Sequence, residues 1–179
     1  TASILFLGEP GAGIGKTTIL KRYMYGNFIK EHKTTWKSYV IAKDVPGWNV
    51  EAITLLLTDT AGNEPFEGPG SELFKEATVA LFIYDVTNMT SFEGLQHLMK
   101  KVDDVVGKDG LCFMVLVANK ADLIEHRVIT HEKGLELAGL WDIPYFEVSA
   151  KEGLGIEELF KYLIEVLEPV ALDKRDKKE

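Results

Sequence analysis

The sequence predicts an α/β fold with a six-stranded, mostly parallel sheet, one antiparallel edge strand and about five helices on the two faces. Two observations predict this class. Continuous apolar runs of four to seven residues, at 4–7, 79–84 and 112–118, suit strands that are buried on both faces of a parallel sheet. Longer stretches with helical periodicity lie between these runs, as expected when helices connect parallel strands.

The remaining elements follow from local patterns. The strand-like segments 40–43 and 50–58 flank the turn-rich segment 44–49, which predicts a hairpin of two antiparallel strands. Thr90 and Glu93 have capping-box spacing, so we expect a helix from Thr90 towards Val106. The last strand is predicted near residues 145–148. The clearest helix follows it, because one apolar stripe joins Ile156, Leu159, Phe160, Leu163 and Leu167.

Composition excludes several classes of protein. The 20 basic and 28 acidic residues give a net charge of −8, which argues against a nucleic-acid binder. Cys112 is the only cysteine, so there is no internal disulfide framework, and a reducing, cytoplasmic compartment is favoured. No apolar run reaches the roughly 18 residues that a membrane-spanning helix needs.

No repeat or linker divides the chain, so we expect one domain over residues 1–172. Residues 173–179 carry four basic and three acidic side chains and no apolar anchor, which predicts a flexible charged tail. The alternative, a basic patch that binds membranes, is weakened by the acidic residues among the basic ones. Membrane association is therefore not supported by this tail.

The glycine-rich segment 8–18 lies between the first strand and a helix-forming run, which predicts a phosphate cradle. Lys16 can reach the outer phosphates and the Thr17 hydroxyl can ligate magnesium. The usual loop has a glycine five residues before the glycine of Gly-Lys, but here that position holds Pro10. The glycine that begins the loop, Gly8, lies seven residues before Gly15, so the loop is two residues longer than usual. The alternative is a glycine-rich turn without a ligand, which the Gly-Lys-Thr-Thr ending argues against. The candidate phosphate ligands are Gly13, Ile14, Gly15, Lys16, Thr17 and Thr18.

The segment Asp59-Thr60-Ala61-Gly62 ends an apolar strand. The Asp59 carboxylate can hold a magnesium-bound water, and the Gly62 N–H can sense a terminal phosphate. Taken alone the motif is weak evidence, because Asp-x-x-Gly is common in turns.

Two further motifs predict the base. They are Asn119-Lys120-Ala121-Asp122, directly after the strand 112–118, and Ser149-Ala150-Lys151, after the last strand. An aspartate accepts hydrogen bonds from both the ring N–H and the exocyclic amine of guanine, and adenine lacks this donor pair. The Lys120 stem can lie over the purine, and the Ala150 N–H can reach the guanine carbonyl. All the motifs fall at carboxyl ends of predicted strands, where open α/β sheets bind ligands.

With these motifs the chain resembles the Ras superfamily of small GTPases over nearly its whole length. The stretch Tyr84-Asp85-Val86-Thr87 and the run from Asp59 to Phe66 are most like the Rab branch. The resemblance implies a P-loop NTPase fold, GTP or GDP with Mg²⁺ as ligands, and hydrolysis of GTP. It also implies a molecular switch that presents its mobile segments to partner proteins.

The resemblance also assigns residues. Phe28 lies where the family places an aromatic edge against the base. Thr35 lies at the position of the switch threonine that binds magnesium and the terminal phosphate, and Thr34 is the rival for that role. The switch regions are residues 30–38 and 62–74, through which effectors, an exchange factor and an activating protein would bind. The implied catalytic residues are Lys16, Thr35, Gly62 and Asn63.

Several features depart from the family. Asn63 stands where the family usually has the glutamine that orients the attacking water, so we expect slow hydrolysis. Thr58 and Trp36 replace residues usual in Rab proteins, and no cysteine follows Cys112 to carry a prenyl anchor. A peripheral membrane location would therefore need a lipidated tail that this sequence does not include. The alternative function is a non-hydrolysing, nucleotide-dependent binding module.

Overall fold

The structure, a computed structural model, describes residues 1–11, 13–28, 38–47, 52–61, 72–106 and 113–176, without the side chains of residues 72, 106 and 171–176. Strands and helices alternate through most of these ranges. The strands are β1 (Ala2–Leu7), β2 (Tyr39–Val45), β3 (Ile53–Asp59), β4 (Val79–Asp85), β5 (Phe113–Asn119) and β6 (Tyr145–Glu147). The helices are α1 (Lys16–Tyr25), α2 (Glu72–Lys75), α3 (Met89–Val106), α4 (His131–Trp141) and α5 (Ile156–Asp176), and a short 3-10 helix (Ile124–His126) precedes α4.

The strands form one sheet in the order β2-β3-β1-β4-β5-β6. The pairs of β1 with β3, β1 with β4, β4 with β5 and β5 with β6 are parallel. Strand β2 runs antiparallel to β3, with Tyr39 opposite Asp59 and Val45 opposite Ile53. The predicted fold class, with its single antiparallel edge strand, is confirmed. After β1 the chain first adds β2 and β3 on one side of that strand and then β4 on its other side. Such a switch point is where open α/β sheets bind ligands.

Two apolar cores cover the two faces of the sheet. On one face Ile4 and Phe6 of β1 pack with side chains of α1 and α5. On the other face Leu5 and Leu7 pack with side chains of α3 and α4. Every residue of β4 is buried. This two-sided burial is the physical reason that the inner strands have continuous apolar runs instead of an alternating pattern.

The start of α3 corrects one prediction. The helix begins at Met89, and its N-cap is Asn88, whose Oδ1 accepts a hydrogen bond from Ser91 N at 3.1 Å. The prediction that Thr90 caps the helix is wrong. Asn88 is held in this place by the end of β4, because its own N–H donates to the Asp85 carbonyl oxygen at 2.9 Å. The turn from the strand therefore decides which of two good capping residues is used.

Helix α5 has the predicted apolar stripe on its buried face. Leu159, Leu163 and Leu167 are fully buried in the core shared with α1. The helix continues past Pro169 to Asp176, so residues 173–176 are helical where we expected the start of a flexible tail. The domain boundary at residue 172 stays a prediction.

A polar network fixes the end of β6. The two carboxylate oxygens of Glu147 accept hydrogen bonds from the two terminal nitrogens of Arg127 at 2.7 and 3.0 Å. The Tyr145 hydroxyl donates to Glu147 Oε1 at 2.8 Å, and His131 Nδ1 lies 3.2 Å from the same oxygen. Burial alone would raise the pKa of Glu147, but these hydrogen bonds outweigh it and lower the pKa to about 2. The network anchors the strand that leads into Ser149.

Candidate functional site

The described part of the loop between β1 and α1 is anchored near its end and exposed at Gly11 and Gly13. Ile14 is 2 % exposed and covers Gly8, where a Cβ atom would meet the Ile14 side chain and lie 2.6 Å from the Ile83 carbonyl oxygen. Gly11 and Gly13 are exposed, with φ angles of 73° and 59°. This left-handed conformation favours glycine. Ile14 therefore anchors the end of the loop in the core, whereas Gly11 and Gly13 lie at the surface.

Helix α1 starts directly after this loop. Gly15 is its N-cap, with φ 90° and ψ 28°, and a Cβ atom there would collide with the side-chain amide of Asn119. The N–H groups of the first turn, which contains Lys16, Thr17 and Thr18, have no acceptors within the helix. Together with the helix dipole they favour an anion at this end. This geometry is compatible with the predicted phosphate cradle, and the ligands assigned to it stay a prediction.

Thr17 and Asp59 form a candidate metal site at the same end. The Thr17 hydroxyl donates a short hydrogen bond to Asp59 Oδ2, and Asp59 is fully buried at the carboxyl end of β3. Hydroxyl and carboxylate oxygens are ligands that Mg²⁺ prefers, completed by water and substrate phosphates. The pair therefore fits the ion. The assignment of Thr17 as a direct ligand and Asp59 as a ligand through water stays a prediction.

Tyr39 is a residue of this region that the sequence analysis missed. It begins β2 and lies opposite Asp59 in the hairpin register. Burial and the neighbouring Asp59 carboxylate, through its charge and a hydrogen bond, raise the pKa of the Tyr39 hydroxyl to about 12. The hydroxyl is thus protonated near neutral pH and donates towards Asp59. The hairpin register, which the sequence leaves open, puts it there.

The motif after β5 is tied directly to the phosphate loop. Asn119 Nδ2 donates to the Ile14 carbonyl oxygen, and Lys120 Nζ donates to the Gly13 carbonyl oxygen, both at 2.9 Å. Asn119 Oδ1 also accepts a hydrogen bond from Ala150 N at 3.3 Å. Buried Asn119 therefore connects the phosphate loop with the loop after β6. Lys120 has a φ angle of 62°, a strained conformation of the kind found at functional sites.

The two base motifs meet through Ser149 and Asp122. Ser149 Oγ donates to Asp122 Oδ1 at 2.6 Å and accepts a hydrogen bond from Glu152 N at 3.0 Å. The contact fixes the orientation of the carboxylate predicted to read guanine. Phe28, which follows α1, is 38 % exposed, so it is accessible to a ligand from solvent. The side chain of Lys151 is also exposed.

Part of the predicted site lies outside the described residues. This holds for Thr35, its rival Thr34, Gly62 and Asn63, and for most of the switch regions 30–38 and 62–74. The roles given to these residues stay predictions. At the ends of the two regions, the Ser38 hydroxyl accepts a hydrogen bond from Ala61 N at 3.1 Å. The last residue of the first switch region is therefore in contact with the residue that precedes the second.

The fold and site define a class, that of nucleotide-binding α/β proteins with a phosphate loop. Comparison with known proteins is more specific, because the model of the Ras family matches residues 3–168. The chain is 32 % identical over 177 residues to the Ypt/Rab-type GTPase ypt7 of Schizosaccharomyces pombe, which covers 97 % of this chain and 83 % of that protein. It is 31 % identical over 162 residues to the Ras-related protein Rab-26 of Rattus norvegicus, which covers 88 % of this chain and 60 % of that protein.

The chain belongs to the Ras family of small GTPases and is most like its Rab-type members. It has the P-loop GTPase fold, and the predicted resemblance is confirmed. As a member of this family it is a GTP-binding switch whose ligands are GTP or GDP with Mg²⁺. In the part of the chain that the structure describes, no helix has the length and apolar character needed to cross a membrane.

Proposed function

We propose that this chain is a GTP-hydrolysing switch with slow turnover of its own, and that it binds nucleotide through the residues its motifs predict. The observation that carries the proposal is the pair of hydrogen bonds, both of 2.9 Å, from Asn119 and Lys120 to the phosphate loop. They place the base-reading motif and the phosphate-holding loop side by side. One nucleotide can therefore engage both.

At the phosphate end, Lys16 contacts the outer phosphates and the first turn of α1 donates N–H groups to them. Thr17 and Thr35 hold Mg²⁺ directly, and Asp59 holds it through water. When bound, the ion neutralises charge on the phosphates and helps to align the terminal one. Thr35 and the N–H of Gly62 respond to the terminal phosphate, which links the bound nucleotide to the conformation of the switch regions.

At the base end, Asp122 accepts hydrogen bonds from the two guanine donors, and Ser149 keeps its carboxylate oriented. The Lys120 stem covers one face of the purine, and the Phe28 edge approaches the ring. The Ala150 N–H, which donates to Asn119 Oδ1 at 3.3 Å in the structure, also donates to the guanine carbonyl when the base is bound. Lys151 completes this loop.

Slow turnover follows from Asn63 in the place of the usual glutamine. Asparagine is one methylene shorter, and a misplacement of about 1 Å can cost about a hundredfold in rate. The lengthened phosphate loop is the rival cause. Its first residue, Glu9, lies against Gly94 of α3, where a Cβ atom would be 2.9 Å from Glu9 Cδ, and Ile14 seats its other end. Because both ends of the loop are anchored, the two extra residues can extend into solvent without displacing the phosphates. This favours Asn63 over the loop as the cause of slow hydrolysis.

Members of this family interact with effectors and regulators, and we propose that residues 30–38 and 62–74 form that surface here. Residues 28–43 contain no arginine, so an arginine that stabilises the transition state would come from an activating protein. We propose a cytoplasmic location, peripheral to membranes only through a lipidated tail. The net charge of −8 argues against a nucleic-acid partner.

Single-turnover hydrolysis of GTP bound in advance tests the proposal. We expect slow conversion to GDP by the protein alone and faster conversion when an activating protein is supplied from lysate. The second candidate, a binding module without turnover, is favoured by the same Asn63 substitution. A chain that retains intact GTP under both conditions would establish that candidate and overturn ours.

A further inference from the structure

Arg22 lies in the last turn of α1 and reaches across to the loop after β6. Its Nε donates to the Ala150 carbonyl oxygen at 2.8 Å, and its Nη2 donates a short hydrogen bond to the Lys151 carbonyl oxygen. Its Nη1 donates to the Gly26 carbonyl oxygen at 2.9 Å. Each guanidinium nitrogen thus has a backbone acceptor. These three hydrogen bonds all go to backbone carbonyl oxygens and hold the backbone in place.

The three acceptors lie on segments that border the candidate nucleotide site. Ala150 and Lys151 belong to the loop that is predicted to contact the base. Gly26 ends α1 with a φ angle of 71° and precedes Phe28 by two residues. The same helix carries Lys16 and Thr17 at its other end. Arg22 therefore joins the phosphate-binding helix, the segment before the aromatic residue and the base-reading loop.

The chemistry of arginine suits this task better than that of lysine. A guanidinium group presents several N–H donors in a fixed plane, and hydrogen bonds from a charged donor are about twice as strong as neutral ones. The loop also packs against the group, since a Cβ atom at Gly153 would lie 3.6 Å from Arg22 Cζ. A lysine at this position would carry all its donors on one nitrogen at the end of a flexible stem, so it could not reproduce this planar arrangement of donors.

We infer that Arg22 is a positioning residue for guanine recognition, which holds the Ala150–Lys151 backbone so that the Ala150 N–H, whose hydrogen bond to Asn119 Oδ1 is long at 3.3 Å, can also face the 6-oxo group of the base. The inference rests on the proposed function, because it assumes that this loop reads guanine. Arg22 touches neither base nor phosphate in this arrangement. Its effect passes through the two peptide groups on the carboxyl side of Ala150.

The test compares GDP with 6-thio-GDP, in which a weaker sulfur acceptor replaces the 6-oxo group. Dissociation of each nucleotide is measured by chase from the loaded full chain of the parent, Arg22→Met and Arg22→Lys. Lys21→Met is the matched control, because it removes a charge from the same helix turn. Far-UV circular dichroism melting of each loaded variant shows that it is folded. Should Arg22→Met not fold, the comparison is made with Arg22→Lys.

We expect Arg22→Met to release GDP about tenfold faster than the parent, the scale of a lost charge-assisted hydrogen bond. Release of 6-thio-GDP should accelerate much less, so that the preference for the 6-oxo group shrinks. Arg22→Lys should be intermediate, and Lys21→Met should match the parent. If the parent binds GDP but Arg22→Met releases GDP and 6-thio-GDP with equal acceleration, or releases neither faster, the inference about Arg22 is wrong and the proposed function still stands. A parent that binds no GDP would overturn the proposed function and the inference together.

Discussion

Lys120 Nζ lies 2.6 Å from Asp85 Oδ2, so an ion pair joins the end of β4 to the base motif after β5. The same ammonium group donates to the Gly13 carbonyl oxygen at 2.9 Å. The side chain of Asp85 is only 5 % exposed, and its other oxygen accepts hydrogen bonds from Thr87 N and Oγ1 at 2.8 and 2.7 Å. Asp85 thereby fixes the lysine whose stem is predicted to cover the purine.

The first prediction concerns this pair. Asp85→Asn keeps an oxygen for Thr87 but removes the negative charge next to Lys120. We expect GDP to dissociate about threefold to tenfold faster, because a partly buried, charge-assisted contact is weakened. Stopped-flow chase of a fluorescent GDP measures the rate. Glu93→Gln, on the exposed side of α3, is the control and should match the parent. An unchanged rate in Asp85→Asn would show that Gly13 alone positions the lysine.

The second prediction concerns selectivity for the base. Asp122→Asn replaces the acceptor of the guanine N–H groups with a side chain that can also donate. We expect GDP affinity to fall by about a hundredfold or more, since a donor on the base loses its partner. The affinity for xanthosine diphosphate should rise, because its 2-oxo group can accept a hydrogen bond from the side-chain amide that the substitution introduces. Competition binding with both nucleotides gives the two affinities. Parental GDP affinity in this variant would remove Asp122 from the base site.

The third prediction separates the two causes proposed for slow turnover. If the reach of the side chain limits the rate, Asn63→Gln should accelerate hydrolysis in single turnover, by at most about a hundredfold. Deletion of two residues within 10–13, which restores the usual interval before Gly15, should then add little. Both variants and their combination are measured with GTP bound in advance. No gain from Asn63→Gln in either loop background contradicts the argument from reach.

The fourth prediction concerns acid stability. The pKa of Glu147 is about 2 in the folded chain, below its ordinary value of 4.5. A carboxyl group with a lowered pKa in the folded chain stabilises the fold at pH values above its ordinary pKa. This contribution is lost as the pH falls from about 4.5 towards 2. Glu147→Gln should therefore lower the free energy of unfolding at pH 7 by about 1 kcal/mol, with allowance for partial exposure.

The difference between the parent and Glu147→Gln should shrink as the pH is lowered below 4.5. Urea unfolding at constant saturating GDP, measured at several pH values, gives this difference. Glu152→Gln is the control, because Glu152 is exposed and lies 3.7 Å from Lys151 in a weak surface pair. A gap that stays constant down to pH 3 would mean that Glu147 stabilises β6 without its charge.

The motifs of the site could be predicted because they are local. Gly15, Lys16 and Thr17 belong to one turn, and the Asn119 motif directly follows the continuous apolar run of β5. The strand before Ser149 is only three residues long, so there the Ser149-Ala150-Lys151 motif is itself the local signal. Parallel strands bring their carboxyl ends to one edge, so the order of motifs along the chain was enough to predict that they meet. The same burial on both faces that makes the runs continuous makes the strands easy to find.

Short or weakly patterned elements could not be placed in this way. Helix α2 has four residues, too few for a periodic signal. Helix α4 begins after Thr130, whose hydroxyl accepts a hydrogen bond from Lys133 N at 3.2 Å. That cap is a local signal, but a single threonine before a weak apolar stripe does not by itself predict a helix. Leu135 and Leu140 of this helix are exposed, which blurs its apolar stripe.

The sequence by itself determined the fold class, the phosphate loop and the base motifs, since each depends on residues close together in the chain. Only the tertiary structure decided which residues support them. Arg22 and Ala150 are 128 residues apart, and Lys120 meets Gly13 across 107 residues. Tyr39 meets Asp59 only through the hairpin register. A lone arginine, aspartate or tyrosine carries no local pattern, because its partners are backbone groups and side chains that the packing of α1 and the order of the strands bring within hydrogen-bonding distance.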